Sequence, residues 1–495
     1  MSIFDVFLEK IGQKLSFMPN SSQENALKMI ARFVVEPSLN DRIFVLKGYA
    51  GTGKTSLVGA LVKTMSEMNM RTVLMAPTGR AAKVFSLMAD KTAMTIHKTI
   101  YRQRKFNVDF EGFQLMDNRQ SGTLFICDEA SMISTLNESS PFGTGNLLDD
   151  LIEYVYSGNQ CRLMMIGDTA QLPPVGQKRS PALEIDVLRG YGLDVLSAEL
   201  TEVARQQLDS GILANATMLR DMLSRGQTDS LPRIMCRDYP DVRRVDGYEL
   251  LEALSSSYHR QGLDETIIVT RSNMRANKFN QGVRNQILER EEELSPGDRL
   301  LVVKNNYYWG KQFDNLPFIA NGDVVIVRRV HETVERYGFR FAELEIALPD
   351  YDIETDAVVL LNTLASDGPS LTVEDQQRLF ANVMADYCHI PSQRDRIKAV
   401  KDNRYFNALQ IKYGYCVTCH KSQGGQWEDV YLDLGYINPE HLGIDFYRWM
   451  YTAFTRARQT LYLVNMSDDM RSNCQIVSER VTKVTLCQKK AKIFG

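Results

Sequence analysis

The chain has 495 residues, enough for about three domains that each bury a core. Apolar residues make up 44% and charged residues 24%, the balance of an ordinary globular protein, which sets aside a disordered or fibrous chain. Lys plus Arg total 58 against 61 Asp plus Glu, a formal net charge of −3, so a polyanion must be met by a locally basic groove rather than by a whole-molecule field.

The N-terminus carries Asp5 and Glu9 where a signal peptide is basic and then apolar, and no apolar run approaches the roughly 18 to 20 residues of a membrane span. The eight cysteines are spread over the chain without the density of a secreted disulfide scaffold, so they read as reduced thiols of a cytoplasmic protein with no membrane partner. Ile43 to Leu46 is an apolar run ending in a glycine-rich turn, and Ser56 to Met65 has helical spacing, which predicts strand, loop and helix in that order. Val73 to Met75, Leu124 to Cys127, Leu163 to Ile166 and Ile267 to Val269 are further short buried strands alternating with helices, the pattern of parallel sheets. Tyr101 to Thr123 interrupts that pattern with a polar and aromatic stretch, read as a protruding hairpin. From about Pro296 to Arg404, β-branched runs and Pro-Gly and Asn-Gly turn signals predict a small β-rich domain. Parallel-sheet pattern resumes at Tyr415 to Thr418 and Leu461 to Val464. The last residues read as a polar tail or an appended helix.

Three elements carry chemistry. Gly48-Tyr-Ala50-Gly51-Thr52-Gly53-Lys54-Thr55 matches the phosphate-binding loop, whose backbone N–H groups, followed by Ser56 in the helix, wrap phosphates at a helix N-terminus. Lys54 is placed to reach the β- and γ-phosphates, and the Thr55 hydroxyl to bind Mg2+. Asp128 and Glu129, directly after an apolar strand, suit a metal ligand and a base for water. A third strand ends in Ile166-Gly-Asp-Thr-Ala-Gln171-Leu-Pro-Pro, where Gln171 is placed to touch a γ-phosphate.

In this order and wording the three elements resemble superfamily 1 helicases, class B, of the RecD-like and Dda-like branch. The resemblance runs through most of the chain and implies an α/β fold: two RecA-like parallel-sheet motor domains, a hairpin (pin) insertion in the first and a small β-barrel insertion in the second. It places the first motor at 1–199 with the pin at about 100–123, the second motor at 200–298 and 405–470, the barrel-containing insertion at 299–404 and a tail at 471–495. Gln23 in NSSQENAL corresponds to the family's adenine-reading glutamine. Pro77 and Thr78 in APTGRAAK, and His97 and Lys98 in TIHK, are similar to its strand-contacting motifs.

Arg205 in LTEVARQ resembles an arginine that reaches the γ-phosphate from the first motor's far edge or from the second motor. Thr270 and Asn273 look like a strand end of the second motor. Thr418, His420, Lys421 and Gly424 lie in a segment similar to the one linking strand and nucleotide, and Arg456 in YTAFTRAR resembles a second arginine finger. Arg205 and Arg456 would stabilise the transferring phosphoryl group only when two domains close over ATP, tying hydrolysis to movement.

Trp427, Tyr405 and Phe406 are either base-stacking residues or core. Phe106, Phe110 and Phe113 sit in the pin-like insertion, where an exposed ring would cap the last base pair. Leu364 to Lys401 resembles nothing in the family and reads as a helical insert touching DNA or a partner, and the first twenty residues as a cap or a partner-binding helix. Cys416-Val-Thr-Cys419-His420 has the spacing of a haem attachment site, but within the helicase-like segment it reads as packing.

The expected activity is therefore an ATP-dependent DNA helicase using Mg2+, a monomeric motor moving 5′ to 3′ on single-stranded DNA. Duplex/single-strand junctions and a replication or repair protein are its expected partners. The alternatives are an RNA or dual-specificity motor and a nucleic-acid-binding module with a vestigial ATPase.

Overall fold

The computed structural model describes residues 2–37, 41–103, 113–135, 143–202, 209–237, 239–313, 316, 318–438, 440 and 442–471. Eight strands lie among the described residues of the first 200: β1 (Arg42–Gly48), β2 (Arg71–Ala76), β3 (Ala93–Thr95), β4 (Tyr101–Gln103), β5 (Phe113–Leu115), β6 (Thr123–Cys127), β7 (Arg162–Gly167) and β8 (Asp194–Leu200). Six of them form one parallel sheet in the order β3-β2-β6-β7-β1-β8.

The apolar runs become strands because both faces of this sheet are covered. Phe44 and Leu46 of β1 point into one core with the helix Lys54–Glu67, while Ile43 and Val45 point into the opposite core with the helix Leu147–Tyr156. The N-terminal helix Ile3–Gln13, capped by Ser2 and Asp5, sets Phe7 and Ile11 into the first of these cores. Its Lys10 and Lys14 pair with Glu67 at 2.5 and 2.7 Å, so this segment covers one side of the first sheet's core. β4 and β5 pair antiparallel as the base of the expected hairpin. Phe106 and Phe110 lie outside the described residues.

The second half holds β9 (Val242–Val245), β10 (Thr266–Thr270), β11 (Arg299–Val302), β12 (Val324–Arg336), β13 (Phe339–Leu348), β14 (Ile353–Leu360), β15 (Leu409–Tyr413), β16 (Cys416–Thr418), β17 (Trp427–Asp433) and β18 (Ala457–Val464). A second parallel sheet runs β16-β10-β17-β18-β9, and β11 to β15 close into a barrel. The fold is thus the expected pair of RecA-like sheets with a barrel inserted in the second.

One limit differs from expectation. β15 lies beyond residue 404 yet belongs to the barrel, because its buried residues zip antiparallel to β11, with Leu300 opposite Tyr413 and Val302 opposite Ile411. The 364–401 stretch folds into the helices Val373–Asp386 and Gln393–Lys401, which set Leu379, Val383 and Val400 against Phe339, Phe341, Val358 and Leu360 on the barrel's outer face. Among the described residues no helix is long and apolar enough to cross a membrane.

Candidate nucleotide and single-strand site

The sequence Gly48 to Thr55 turns from β1 into the helix Lys54–Glu67, with Gly53 as its N-cap at φ +85°, a left-handed conformation that a side chain would strain. A Cβ on Gly48 would stand 2.9 Å from both Lys54 Cγ and Thr52 Oγ1, so glycine is needed for the loop to close. Thr52 Oγ1 donates to the Tyr49 carbonyl at 2.7 Å, and Lys54 Nζ donates to the carbonyls of Gly48 and Tyr49, the latter at 2.9 Å. The ammonium is therefore held at the mouth of its own loop.

Gln23 is buried behind it, donating through Nε2 to the Thr52 carbonyl at 2.9 Å and accepting through Oε1 from the Asn20 N–H at 2.9 Å. The glutamine expected to read adenine thus braces the phosphate loop, with one amide hydrogen left over. Ala50, Gly51 and Thr55 lie in the same loop and first helical turn, and Ser56 is exposed there.

At the end of β6, burial and the neighbouring Glu129 charge push the Asp128 carboxyl up to about 7, against the opposing pull of the Glu129 N–H and Lys54. Glu129 itself has φ +51°, a strained turn for a residue with a side chain. The Asp128 carboxylate, which feels the Lys54 charge of the loop, and the Thr55 hydroxyl are hard oxygen donors of the kind a divalent cation takes, so both fit that role. At the end of β7, Gln171 is buried and its Oε1 meets no hydrogen-bond partner, an unsatisfied acceptor in the cleft.

The cleft is closed by the second motor. Leu172 N–H donates to Thr452 Oγ1 at 2.8 Å, and Gln423 Nε2 donates to the Leu172 carbonyl at 2.8 Å, so both backbone groups of one residue are held by the opposite motor. Tyr451 Oη accepts from the Ala50 N–H at 2.9 Å and donates to Asp168 Oδ2 at 2.6 Å. Arg448 reaches the Lys178 carbonyl at 2.7 Å. Arg80 stacks over Trp427 at 4.0 Å, which puts Trp427 in the buried interface rather than on a base.

Two expected contacts are arranged differently. Arg456 is buried within its own motor, donating to Thr452 O at 2.9 Å, Gly425 O at 3.1 Å and Thr455 Oγ1 at 3.0 Å, which leaves two of its five N–H groups for a phosphate. Gly424, expected at the nucleotide, lies against Thr78 and Ala81, where a Cβ would come within 3.1 and 2.8 Å. Arg205 lies outside the described residues. Arg220, which no motif singled out, packs over the Tyr49 ring at 4.7 Å.

The strand-contacting candidates gather at the C-terminal ends of both sheets. Pro77 and Thr78 follow β2, and Thr78 caps the helix Gly79–Ala89. Thr95, beside them on β3, caps the turn bearing His97 and Lys98. Burial pushes His97 down to about 4, so its imidazole is neutral, and Lys98 down to about 8, with its ammonium 3.8 Å above the Tyr351 ring of the barrel. In the second motor Thr270 and Thr418 are register partners on β10 and β16.

Asn273 starts the helix that follows β10, His420 is exposed, and burial lowers Lys421 to about 8. Thr270 is buried, with its hydroxyl on the Ser272 carbonyl at 3.1 Å. Phe113, expected in an exposed tip, is instead buried at the hairpin's base, 4.7 Å from the Tyr307 ring, and belongs to a core. Tyr405 likewise packs on Phe341 at 5.2 Å, and Phe406 on Phe380 at 5.9 Å. Cys416 and Cys419 are buried thiols, Cys419 pushed up to about 12 by burial.

Residues 20–230 match the family described as AAA domain, and residues 413–464 match the UvrD-like helicase C-terminal domain. An uncharacterized protein of Methanocaldococcus jannaschii is 25% identical over 96% of this chain and 41% of its own length. The ATP-dependent RecD2 DNA helicase of Deinococcus radiodurans is 24% identical over 87% of this chain and 48% of its own length. The ATP-dependent DNA helicase dda of Enterobacteria phage T4 is 26% identical over 61% of this chain and 66% of its own length. The chain thus spans less than half the length of the first two of these relatives.

Proposed function

We propose that this chain, built on the ordered domains of a superfamily 1 class B helicase, is an ATP-dependent DNA helicase that moves along single-stranded DNA, 5′ to 3′, and opens duplex at a junction. The observation that carries the reading is the bonding of Leu172, beside Gln171, to Gln423 and Thr452. Gln423 lies five residues from Thr418 and two from Lys421, in the segment expected on the strand. A shift of that segment on DNA is therefore a shift of the loop that carries the cleft's unsatisfied Gln171 oxygen.

The loop amides from Ala50 to Thr55 would hold the phosphates and Lys54 would leave its own carbonyls for them. Thr55 and Asp128 would hold Mg2+, which when bound neutralises charge on the phosphoryl oxygens. Glu129 takes the proton of the attacking water, and Gln171 orients it. Arg205 and the two spare N–H groups of Arg456 meet the developing charge when the motors close. Thr78, Lys98, Asn273, Thr418, His420 and Lys421 track the backbone through hydroxyl, amide, imidazole and ammonium groups, Pro77 and His97 line the same path, and the buried Thr270 supports Thr418 from the neighbouring strand. Both walls of the cleft come from one chain, which supports the reading of a monomeric motor.

The test is ATP turnover by the purified chain with no polymer, with single-stranded DNA and with RNA of equal length at one salt concentration. Strong stimulation by DNA is expected, with loss of turnover in Lys54→Ala. DNA-stimulated turnover retained by that variant refutes the assignment, and equal stimulation by RNA replaces it with a dual-specificity motor. Duplexes with 5′ or 3′ tails then read the polarity.

A further inference from the structure

Tyr451 stands on the helix Ile444–Phe454 of the second motor and reaches the first motor through one atom. Its Oη lies 2.9 Å from the Ala50 nitrogen and 2.6 Å from Asp168 Oδ2. The direction of each bond is determined by its partners: an amide nitrogen only donates, and Asp168, whose Oδ1 already receives the Ala170 N–H at 2.9 Å, accepts. The side chain is 1% exposed, so water does not replace either bond. One hydroxyl thereby joins three segments: the phosphate loop, the turn after β7 and the helix that leads to Arg456.

Ala50 belongs to the loop whose N–H groups are the ligands of a bound phosphate. A hydroxyl oxygen on that amide occupies the direction in which the N–H would meet a phosphate oxygen, and one N–H serves only one of them at full strength. We propose that Tyr451 is a positioning residue, a latch between the motors that competes with phosphate for the Ala50 amide. The inference rests on the reading that this loop binds a nucleotide. When a phosphate oxygen takes the amide, the hydroxyl is released from Ala50 while it keeps Asp168 as acceptor. The second motor then lets go of the phosphate loop at this corner but still grips Leu172. Nucleotide binding is thus converted into a change of contact between motors at a single atom, and the two events are linked in both directions.

The experiment is calorimetric titration of the full chain with ADP and Mg2+, without DNA, for wild type and Tyr451→Phe. Phenylalanine keeps the ring and removes the competitor, so ADP should bind about 2- to 10-fold tighter, the range of one net hydrogen bond. A cleft merely damaged by the change binds ADP more weakly, so equal or weaker binding overturns the proposal. Independently of that variant, 3-fluorotyrosine installed at position 451 should show a shifted 19F resonance on saturation with ADP. A resonance that stays in place overturns the latch. If wild type itself binds no ADP, the nucleotide reading falls first and the latch with it, an outcome distinct from tight wild-type binding with no effect of the hydroxyl.

Discussion

Thr452→Val isolates the bond through which the second motor holds the turn after β7. Thr452 Oγ1 accepts from the Leu172 N–H at 2.8 Å, and Thr452 and Leu172 are 0% and 5% exposed. Valine matches threonine in shape and has no oxygen, so the variant leaves a buried N–H without a partner, a cost of about 1–3 kcal/mol. That penalty falls on the joined arrangement alone, because separated motors let water reach the amide. It corresponds to roughly 5- to 150-fold in the ratio of joined to separated motors.

If turnover passes through the joined state as the minor conformer of the cycle, kcat for DNA-stimulated ATP hydrolysis should fall at least about fivefold, with an unchanged circular dichroism spectrum. Gln423→Leu, which removes the 2.8 Å bond to the Leu172 carbonyl, should couple non-additively with it, since both act on one residue. A kcat within twofold of wild type for Thr452→Val refutes the argument that this contact transmits motion.

Gly53→Ala should weaken ADP binding by at least about fivefold in calorimetry, because φ +85° is strained for alanine and the new Cβ would come within 2.8 Å of Gln23 Nε2; unchanged affinity refutes the loop geometry. Arg284→Met should lower stability to urea by about 3 kcal/mol, since it strips the buried Asp298 of a guanidinium at 3.1 and 3.0 Å and leaves it one cation, Arg290 at 2.7 Å, with Tyr415 Oη at 2.9 Å and the Ser295 N–H at 2.8 Å. A loss under about 1 kcal/mol would show that Arg290, Tyr415 and Ser295 together suffice. Asp323 gives a pH signature: burial pushes its carboxyl from the ordinary 3.8 up to about 6, so between those values the folded chain binds more protons than the unfolded one. Its contribution to stability therefore declines as pH rises through that window. Asp323→Asn, which still accepts from Ala320 N–H and Tyr351 Oη, should gain on wild type by up to about 3 kcal/mol between pH 4 and 7, and a difference that does not change with pH refutes this.

The chemistry-bearing segments were legible in the sequence because each is local. A glycine-rich loop between a strand and a helix needs only its own residues to present amides, and Asp128 after an apolar strand is placed by that strand alone. The alternation of buried strands and helices likewise specified parallel sheets before any contact was known, and the turn signals between 296 and 404 specified a β-rich insertion. The helicase resemblance added the connection between distant motifs, which no spacing contains.

Tertiary structure alone decided which side chains those segments spend on one another. Phe113, Trp427 and Tyr405 have the same aromatic chemistry whether stacked on a base or buried, and only packing against Tyr307, Arg80 and Phe341 distinguished the two. β15 went to the barrel because its pairing partner is β11, more than a hundred residues earlier, and register between distant strands leaves no local trace. The same holds for Gln23, whose amide is taken by the Thr52 carbonyl, and for Tyr451, whose hydroxyl meets Ala50 some four hundred residues away. Hydrogen bonds are short and directional, so the sequence determines which donors and acceptors exist, and the assembled cleft determines which of them meet.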